Sequence, residues 1–360
     1  MANNNFDLSN LAIQCMAPNN ELLYDDVGKP SVMVKIPKMT YAQLGLGTST
    51  DVFPAFIIDG VEKDYIYISK YQNIVQNSRA YSLPAQDPKT SINMDAAINA
   101  CKAKGAGWHL MTKVEWALLA WWSKKNGTMP YGNNNYGKDS RETVYSAIPS
   151  CALDSSNRIQ RVATGTGPLK WSHNWQADGI WDLNGNVWEW TGGVRTVYGE
   201  VQLLANNNAA NSDNSQAASS AQWMAIRASD GVLITPDGSG TTDGSVKMDF
   251  ISNKLVYSTT ITDTARGGHS CQFNVITCDN TISDAAKLLL ASIGMTRYDE
   301  TDTAFDGDHF YFDNNSAERC FFCGASWGSG ANAGVFYSGG TNARSSSNGG
   351  IGFRSAYYEP

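Results

Sequence analysis

Apolar and polar side chains alternate through Val32-Met33-Val34-Lys35-Ile36 and again through Tyr65-Ile66-Tyr67-Ile68-Ser69-Lys70-Tyr71, a period of two that predicts strands. The period lengthens at Met94. Met94, Ala97, Ile98 and Cys101 share one helical face, Asn93 stands as the cap and Gly105 as the stop, which predicts a helix over Met94–Lys104. A second helix is announced by Thr112-Lys113-Val114-Glu115, a capping box in which Glu115 reaches back to the Thr112 amide. It should run to about Lys125 before Gly127, and Trp116, Leu118, Leu119, Trp121 and Trp122 make it apolar on nearly every side, so it belongs at the centre. A third helix is expected over Asp284–Ile293, capped by Ser283 and stopped by Gly294. Elsewhere, strand-like pieces alternate with Gly-, Asn- and Ser-rich loops, so the class is α+β with a long, loop-rich β framework. Residues 1–30 show little pattern and are expected to be an attachment or oligomerisation segment, with one domain over 31–360.

The last stretch of the chain carries the strongest compositional signal. Of the 23 residues from Gly328 to Gly350, 18 are Gly, Ser, Asn or Ala; such a segment buries little apolar area and should be a surface held by its flanks. Gly324-Ala325-Ser326-Trp327 and Gly352-Phe353-Arg354 bracket it. Ser, Gly, Asn and Tyr are also the residues that adaptable binding loops use.

Composition narrows the partners. Hydrophobic residues make up 42% of the chain and 11 are Trp, ample for a core, while a net charge of −7 argues against nucleic acid or an anionic membrane. The start, Met1-Ala2-Asn3-Asn4-Asn5, has neither the basic nor the apolar region of a signal peptide, and no 18-residue apolar run occurs. A soluble product made in the cytoplasm, with no membrane insertion, is the expectation. Seven cysteines cannot all pair within the chain. Cys101 falls on the apolar face of its helix, as a core residue would. Cys320/Cys323 and Cys271/Cys278 are two pairs that could bind zinc, but the second spacing is unusual and no His adjoins either of its cysteines, so reduced structural thiols or a local disulfide are expected above zinc.

Trp181-Asp182-Leu183-Asn184-Gly185-Asn186-Val187-Trp188-Glu189-Trp190 resembles an element of the C-type lectin fold found in formylglycine-generating enzymes and their relatives. Other elements follow in that family's order. They are Tyr67-Ile68-Ser69-Lys70-Tyr71, then Gly107 to Thr112 with Glu115-Trp116, then Met129-Pro130-Tyr131-Gly132-Asn133, and the two C-terminal anchors. The resemblance implies a C-type lectin fold of the formylglycine-generating-enzyme-like subtype. About 195–315 is longer than the family core needs and is expected to be a large insertion.

In the enzymes, copper is bound by two cysteines soon after the Gly-Gly-Ser-Trp element. The matching positions here are about Ser329 and Gly334, and neither is a thiol. Of the four histidines, His109, His173, His269 and His309, no two are close in sequence, and His109 is expected to be structural. The resemblance also implies candidate calcium ligands at Asp182, Gly185, Val187 and Glu189, with no cofactor required. The acidic run from Asp299 to Asp308 lacks a calcium-loop spacing and is expected to be solvated.

The C-terminus further resembles the variable proteins of diversity-generating retroelements, among them phage tail tropism determinants, through Trp327, Ala331-Asn332-Ala333-Gly334-Val335-Phe336, Ala343-Arg344-Ser345 and Ile351-Gly352-Phe353-Arg354. That resemblance implies a variable region over about 324–354 and ligand contacts at Gly328, Ser329, Asn332, Tyr337, Ser338, Gly339, Gly340, Thr341, Asn342, Ser346, Asn348, Gly349 and Gly350. Tyr337, the one bulky side chain among them, is the expected hot spot. The implied protein is a non-enzymatic, tail-associated receptor-binding protein of a virion. It would bind a host-surface protein or glycan, attach to phage tail proteins and form a homo-oligomer, with a trimer as the expected state. A copper-dependent oxidase of the formylglycine-generating kind is the alternative.

Overall fold

The computed structural model describes residues 8–360, so the first seven residues of the expected attachment segment lie outside the described ones. The three expected helices form where their caps place them. The helix Met94–Lys102 (α2, counting an N-terminal helix α1 at Leu8–Met16) starts with the Ala96 N–H donating to the Asn93 side chain. In α3, Lys113–Lys125, both halves of the Thr112–Glu115 capping box are made. In α4, Asp284–Ser292, the Ala286 N–H donates to Ser283. The alternation patterns were equally informative, giving strands Pro30–Pro37 and Tyr65–Ser69. Helix α1 was not expected; none of its side chains is buried, and Leu8, Leu11 and Met16 are exposed.

Five strands make the first sheet, in the order Asn20–Tyr24, Pro30–Pro37, Tyr65–Ser69, Ser355–Tyr357 and Trp108–Leu110. The first of these lies within the expected attachment segment and pairs along its whole length with Pro30–Pro37, so the domain begins by Asn20 rather than at residue 31. Ser355–Tyr357 is inserted between strands that are far earlier in the chain.

The second sheet has twelve strands. At its middle, Trp188–Val197 pairs on one side with Glu200–Leu203 and on the other with Arg319–Cys323. The 195–315 stretch is therefore woven into the sheet. Lys247–Ile251 and Lys254–Ser258 extend it beyond Glu200–Leu203, and Gly268–Gln272 with His309–Asp313 extends the other side. Helix α3 joins the two sheets: Val114, Trp116, Leu118 and Trp121 share one core with Ile66 and Ile68 of the first sheet and Val194, Phe310 and Phe321 of the second.

A buried ion pair ties these layers together. Arg354 donates two hydrogen bonds to the Glu189 carboxylate, both at 2.5 Å, and further bonds to the Ser69 and Trp181 carbonyls. Both residues are almost completely buried. The seven cysteines are all unpaired, and Cys271 and Cys278 form no local disulfide. His109 is structural as expected, its ring held between the Gly107 carbonyl and Glu115, each at 2.9 Å.

Removing one partner of such a pair strands the other charge in the interior. Arg354→Ala is expected to cost about 3–5 kcal/mol in urea unfolding; a loss below about 1 kcal/mol would mean that the pair holds nothing together.

Candidate functional site

The pairing of four strands dictates where the small-residue segment can go. Cys323 lies opposite Glu189 on one side and Ser338 on the other, and Ile351–Phe353 runs parallel to Trp188–Trp190. The chain thus leaves the sheet after Cys323, re-enters as Ser338–Asn342, leaves again, and returns at Ile351. Gly324 begins the first excursion in a left-handed conformation (φ 83°), where a Cβ would lie 2.8 Å from the Leu183 carbonyl. The Trp116 indole N–H of α3 fixes the far end of that excursion by donating to the Val335 carbonyl at 2.7 Å.

The two excursions meet at an open cleft of about 400 Å³. Gly328 and Ser329 line it from one side and Asn348, Gly349 and Gly350 from the other, with Trp188, Trp327 and Gln160 also contributing. Asn332, Thr341, Asn342 and Ser346 are half-buried, while Gly328, Asn348 and Gly349 are exposed. A Cβ at Gly349 would meet nothing within 4 Å. A side chain at this position would project into solvent without disturbing the frame.

The frame itself is heavily tied. Tyr136 adopts a left-handed conformation (φ 51°), its N–H donates to the Trp327 carbonyl at 2.7 Å, and the Arg158 guanidinium lies 3.7 Å from its ring centroid. Gly328 abuts the same tyrosine, a Cβ there falling 3.0 Å from the Tyr136 hydroxyl. Arg344 anchors the second excursion through Glu318, Asp95 (2.7 Å) and the Gln216 carbonyl (2.6 Å). Tyr136, Arg158 and Gln160 were not among the sequence-derived candidates, Trp327 entered only as part of a bracketing anchor and Trp188 only as part of the family-like element. The available signal was the Tyr136-Gly137 pair inside an Asn-rich run, an aromatic where a turn prefers Asn.

Four expected contacts are corrected. Tyr337, Ser338, Gly339 and Gly340 are buried in the middle of the second sheet, with Tyr337 only 6% exposed and its ring against Tyr311. A Cβ at Gly339 would lie 2.2 Å from the Phe322 ring, and one at Gly340 would lie 2.4 Å from Phe321. These glycines exist to let two aromatic rings cross the strand. Ser338 accepts a hydrogen bond from the buried Lys113 ammonium at 2.6 Å, and that ammonium also donates to Cys323 at 3.2 Å. Tyr337 is therefore a packing residue, not an exposed hot spot.

The calcium ligands implied by the resemblance are also met differently. The Asp182, Gly185 and Val187 carbonyls and a Glu189 carboxylate oxygen do converge, but on the Gln72 side-chain amide, which lies 3.0–3.4 Å from all four. A donor thus occupies the point a cation would need, and Arg354 supplies the positive charge beside Glu189. The Asp182 carboxylate turns away to accept from the Gly165 N–H, and burial pushes its pKa up to about 6. The Gln72 amide has two N–H groups for these four oxygens, and the second Asp182 carboxylate oxygen has no partner among the described residues. The residues near the cleft do not fit copper: the Ser329 hydroxyl accepts from the Ser326 N–H, and a Cβ on Gly334 would strike the Asp308 carboxylate. Among the described residues, no three His, Cys, Asp or Glu side chains cluster as a metal site.

Asp308 underlies the first excursion. One carboxylate oxygen accepts from the Phe336 N–H at 2.7 Å, the other finds no partner among the described residues, and burial pushes the pKa up to about 8. An acid whose folded pKa is raised stabilises the fold below its ordinary value near 4, and that contribution is lost as pH rises through 8. Asp308→Asn is thus expected to gain thermal stability relative to the parent as pH goes from 4 to 8; a pH-independent difference in melting temperature would contradict this ionisation. Gly339→Ala should cost about 1–3 kcal/mol by overpacking against Phe322, whereas Gly349→Asn should leave the melting temperature unchanged. Equal effects of the two glycine substitutions, in thermal unfolding, would contradict the division into buried strand and open rim.

The chain is similar to the structure of PvdO from Pseudomonas aeruginosa, at 13% identity and a TM-score of 0.33, over 93% of this chain and 97% of that one. It is also similar to the U1 and P3c variants of the Major Tropism Determinant, each at 12% identity and a TM-score of 0.30, covering 91% of this chain and 62% of theirs. No curated protein matches it. Residues 43–232, more than half of the chain, match the sulfatase-modifying factor enzyme 1-like domain, and with its mixed helices and strands this α+β protein of C-type lectin-like fold belongs to that family.

Proposed function

We propose that the chain is a receptor-binding protein of a phage or prophage tail, and that the cleft between the two C-terminal excursions binds a host-surface ligand without covalent chemistry. The observation that carries this reading is the division of labour at the cleft. Trp188, Trp327, Tyr136 and Arg344 are fixed by the frame, while Gly328, Ser329, Asn348 and Gly349 contribute small or polar groups at its rim, and Asn332 and Ser346 lie half-buried on the same two excursions. A site built in this way can change its contacts without changing its fold. Affinity per site should be modest, because the rim lacks large aromatic anchors, and several copies on one particle would supply avidity. The exposed apolar side chains of α1 support a role for the N-terminal segment in attachment or oligomerisation.

The same division supports diversification by a retroelement. Sequencing of the locus in many independent descendants is expected to reveal adenine-derived codon changes at 328, 329, 332, 346, 348 and 349, with a template copy nearby. Gly339 and Gly340 should not change. A uniform locus without a template would sink diversification, and variation concentrated at Gly339 and Gly340 would sink the assignment of the rim. Family membership supports a second reading, a copper-dependent oxidase. Stoichiometric copper in the purified protein, measured by mass spectrometry, would favour it over the binder.

A further inference from the structure

The hairpin that joins Trp188–Val197 to Glu200–Leu203 has a two-residue turn, since Val197 pairs directly with Glu200. Both turn residues have positive φ, 48° at Tyr198 and 87° at Gly199. This is the turn that selects Asn-Gly or Asp-Gly, and a bulky aromatic at its first position is a strained choice. Tyr198 is also 38% exposed, so the core does not account for it. Strain at a residue that packing does not require points to a use for the ring.

Tyr198 lines a surface cleft of about 710 Å³, within the range of roughly 300–1,000 Å³ for small-ligand sites. One wall is the 237–244 loop, which Asp237 braces by accepting from the Ser239 N–H (2.8 Å), the Thr241 N–H (3.2 Å) and the Thr241 hydroxyl (2.5 Å). Gly240 lets that loop lie against the turn, for a Cβ there would fall 2.3 Å from the Val197 carbonyl. Thr259, Thr260 and Arg266 lie on the other wall.

The donors and acceptors indicate the ligand's chemistry. Lys247 is consumed by the Thr242, Ser245 and Thr259 carbonyls, and Arg266 directs one nitrogen to the Tyr198 and Asn314 carbonyls. Lys247 is thus engaged inside the protein, and the exposed Arg266 is matched by carboxylates, Asp237 in the bracing of the loop and Asp243 in the lining, so the cleft carries no excess of positive charge for an anion. Asp243 is exposed, and its carboxylate accepts no hydrogen bond from any described residue. An exposed tyrosine face, a free carboxylate acceptor and threonine hydroxyls suit a sugar ring, which offers an apolar face and a rim of hydroxyls.

We propose that this cleft is a second binding site, specific for a neutral oligosaccharide. It is separate from the C-terminal cleft: Trp188 begins the strand Trp188–Val197 and Tyr198 follows its last residue, and the two clefts share no lining residue.

The test uses the full-length protein, fluorescently labelled, on an array of neutral and acidic glycans, with the free oligosaccharide as competitor. The parent is expected to bind at least one neutral glycan. Tyr198→Asn should weaken that binding at least tenfold while melting no lower than the parent, because Asn suits the turn better. Tyr198→Phe and Asn348→Ala should both retain it. No neutral glycan bound, binding to acidic glycans alone, or binding unchanged in Tyr198→Asn would each overturn the proposal. Binding lost in Asn348→Ala would overturn it too, by moving the sugar to the C-terminal cleft.

Discussion

The Arg354–Glu189 pair fastens the first sheet to the second. Two opposite charges taken out of water are a heavy cost, tolerable only when each finds its full complement of partners. Here each does: Glu189 accepts from Arg354 and from the Gln72 amide, and Arg354 also reaches the Ser69 and Trp181 carbonyls. The pair therefore specifies arrangement more than it adds net stability. It sets the chain after Phe353 beside the Tyr65–Ser69 strand and fixes the start of Trp188–Val197, the strand on which both clefts are built.

That fixation explains how a segment so poor in side chains can have one conformation. The excursions from Gly324 to Gly350 contribute little apolar burial of their own at their outer residues, so their shape must come from elsewhere. It comes from Trp116 at the Val335 carbonyl, from Arg344 in its nest of acceptors, and from Tyr136 at Trp327. Each anchor lies on the frame or binds to it, which leaves the rim residues only local contacts, such as Ser329 with the Ser326 N–H and Asn348 with the Gly350 N–H.

The helices and the family element were legible because their determinants are local. Asn93, Thr112 with Glu115, and Ser283 each act within one turn of their own positions. Tyr337 to Gly340 were misread because glycine has two opposite uses, adaptability at a surface and close approach in a core. Only the rings of Phe321 and Phe322 across the sheet decide which applies. The surroundings of the expected calcium ligands were hidden for a similar reason. The acceptor pattern of Asp182 to Glu189 is visible in sequence, but the group that fills it comes from Gln72, more than a hundred residues earlier. Helix α1 buries nothing, and so left no periodic core signal to read.

The placement of Ser355–Tyr357 inside the first sheet bears on how the protein is made. A growing chain cannot bring Tyr65–Ser69 and Trp108–Leu110 into one sheet until those three residues have left the ribosome's exit tunnel. Translation of more than three hundred residues thus precedes closure of the sheet, and a stop codon anywhere before Ser355 removes both its missing strand and Arg354. The cell would then clear the fragment as unfolded chain, so that among variants altered in the Gly328–Gly350 segment only those read through to the end would accumulate as folded protein.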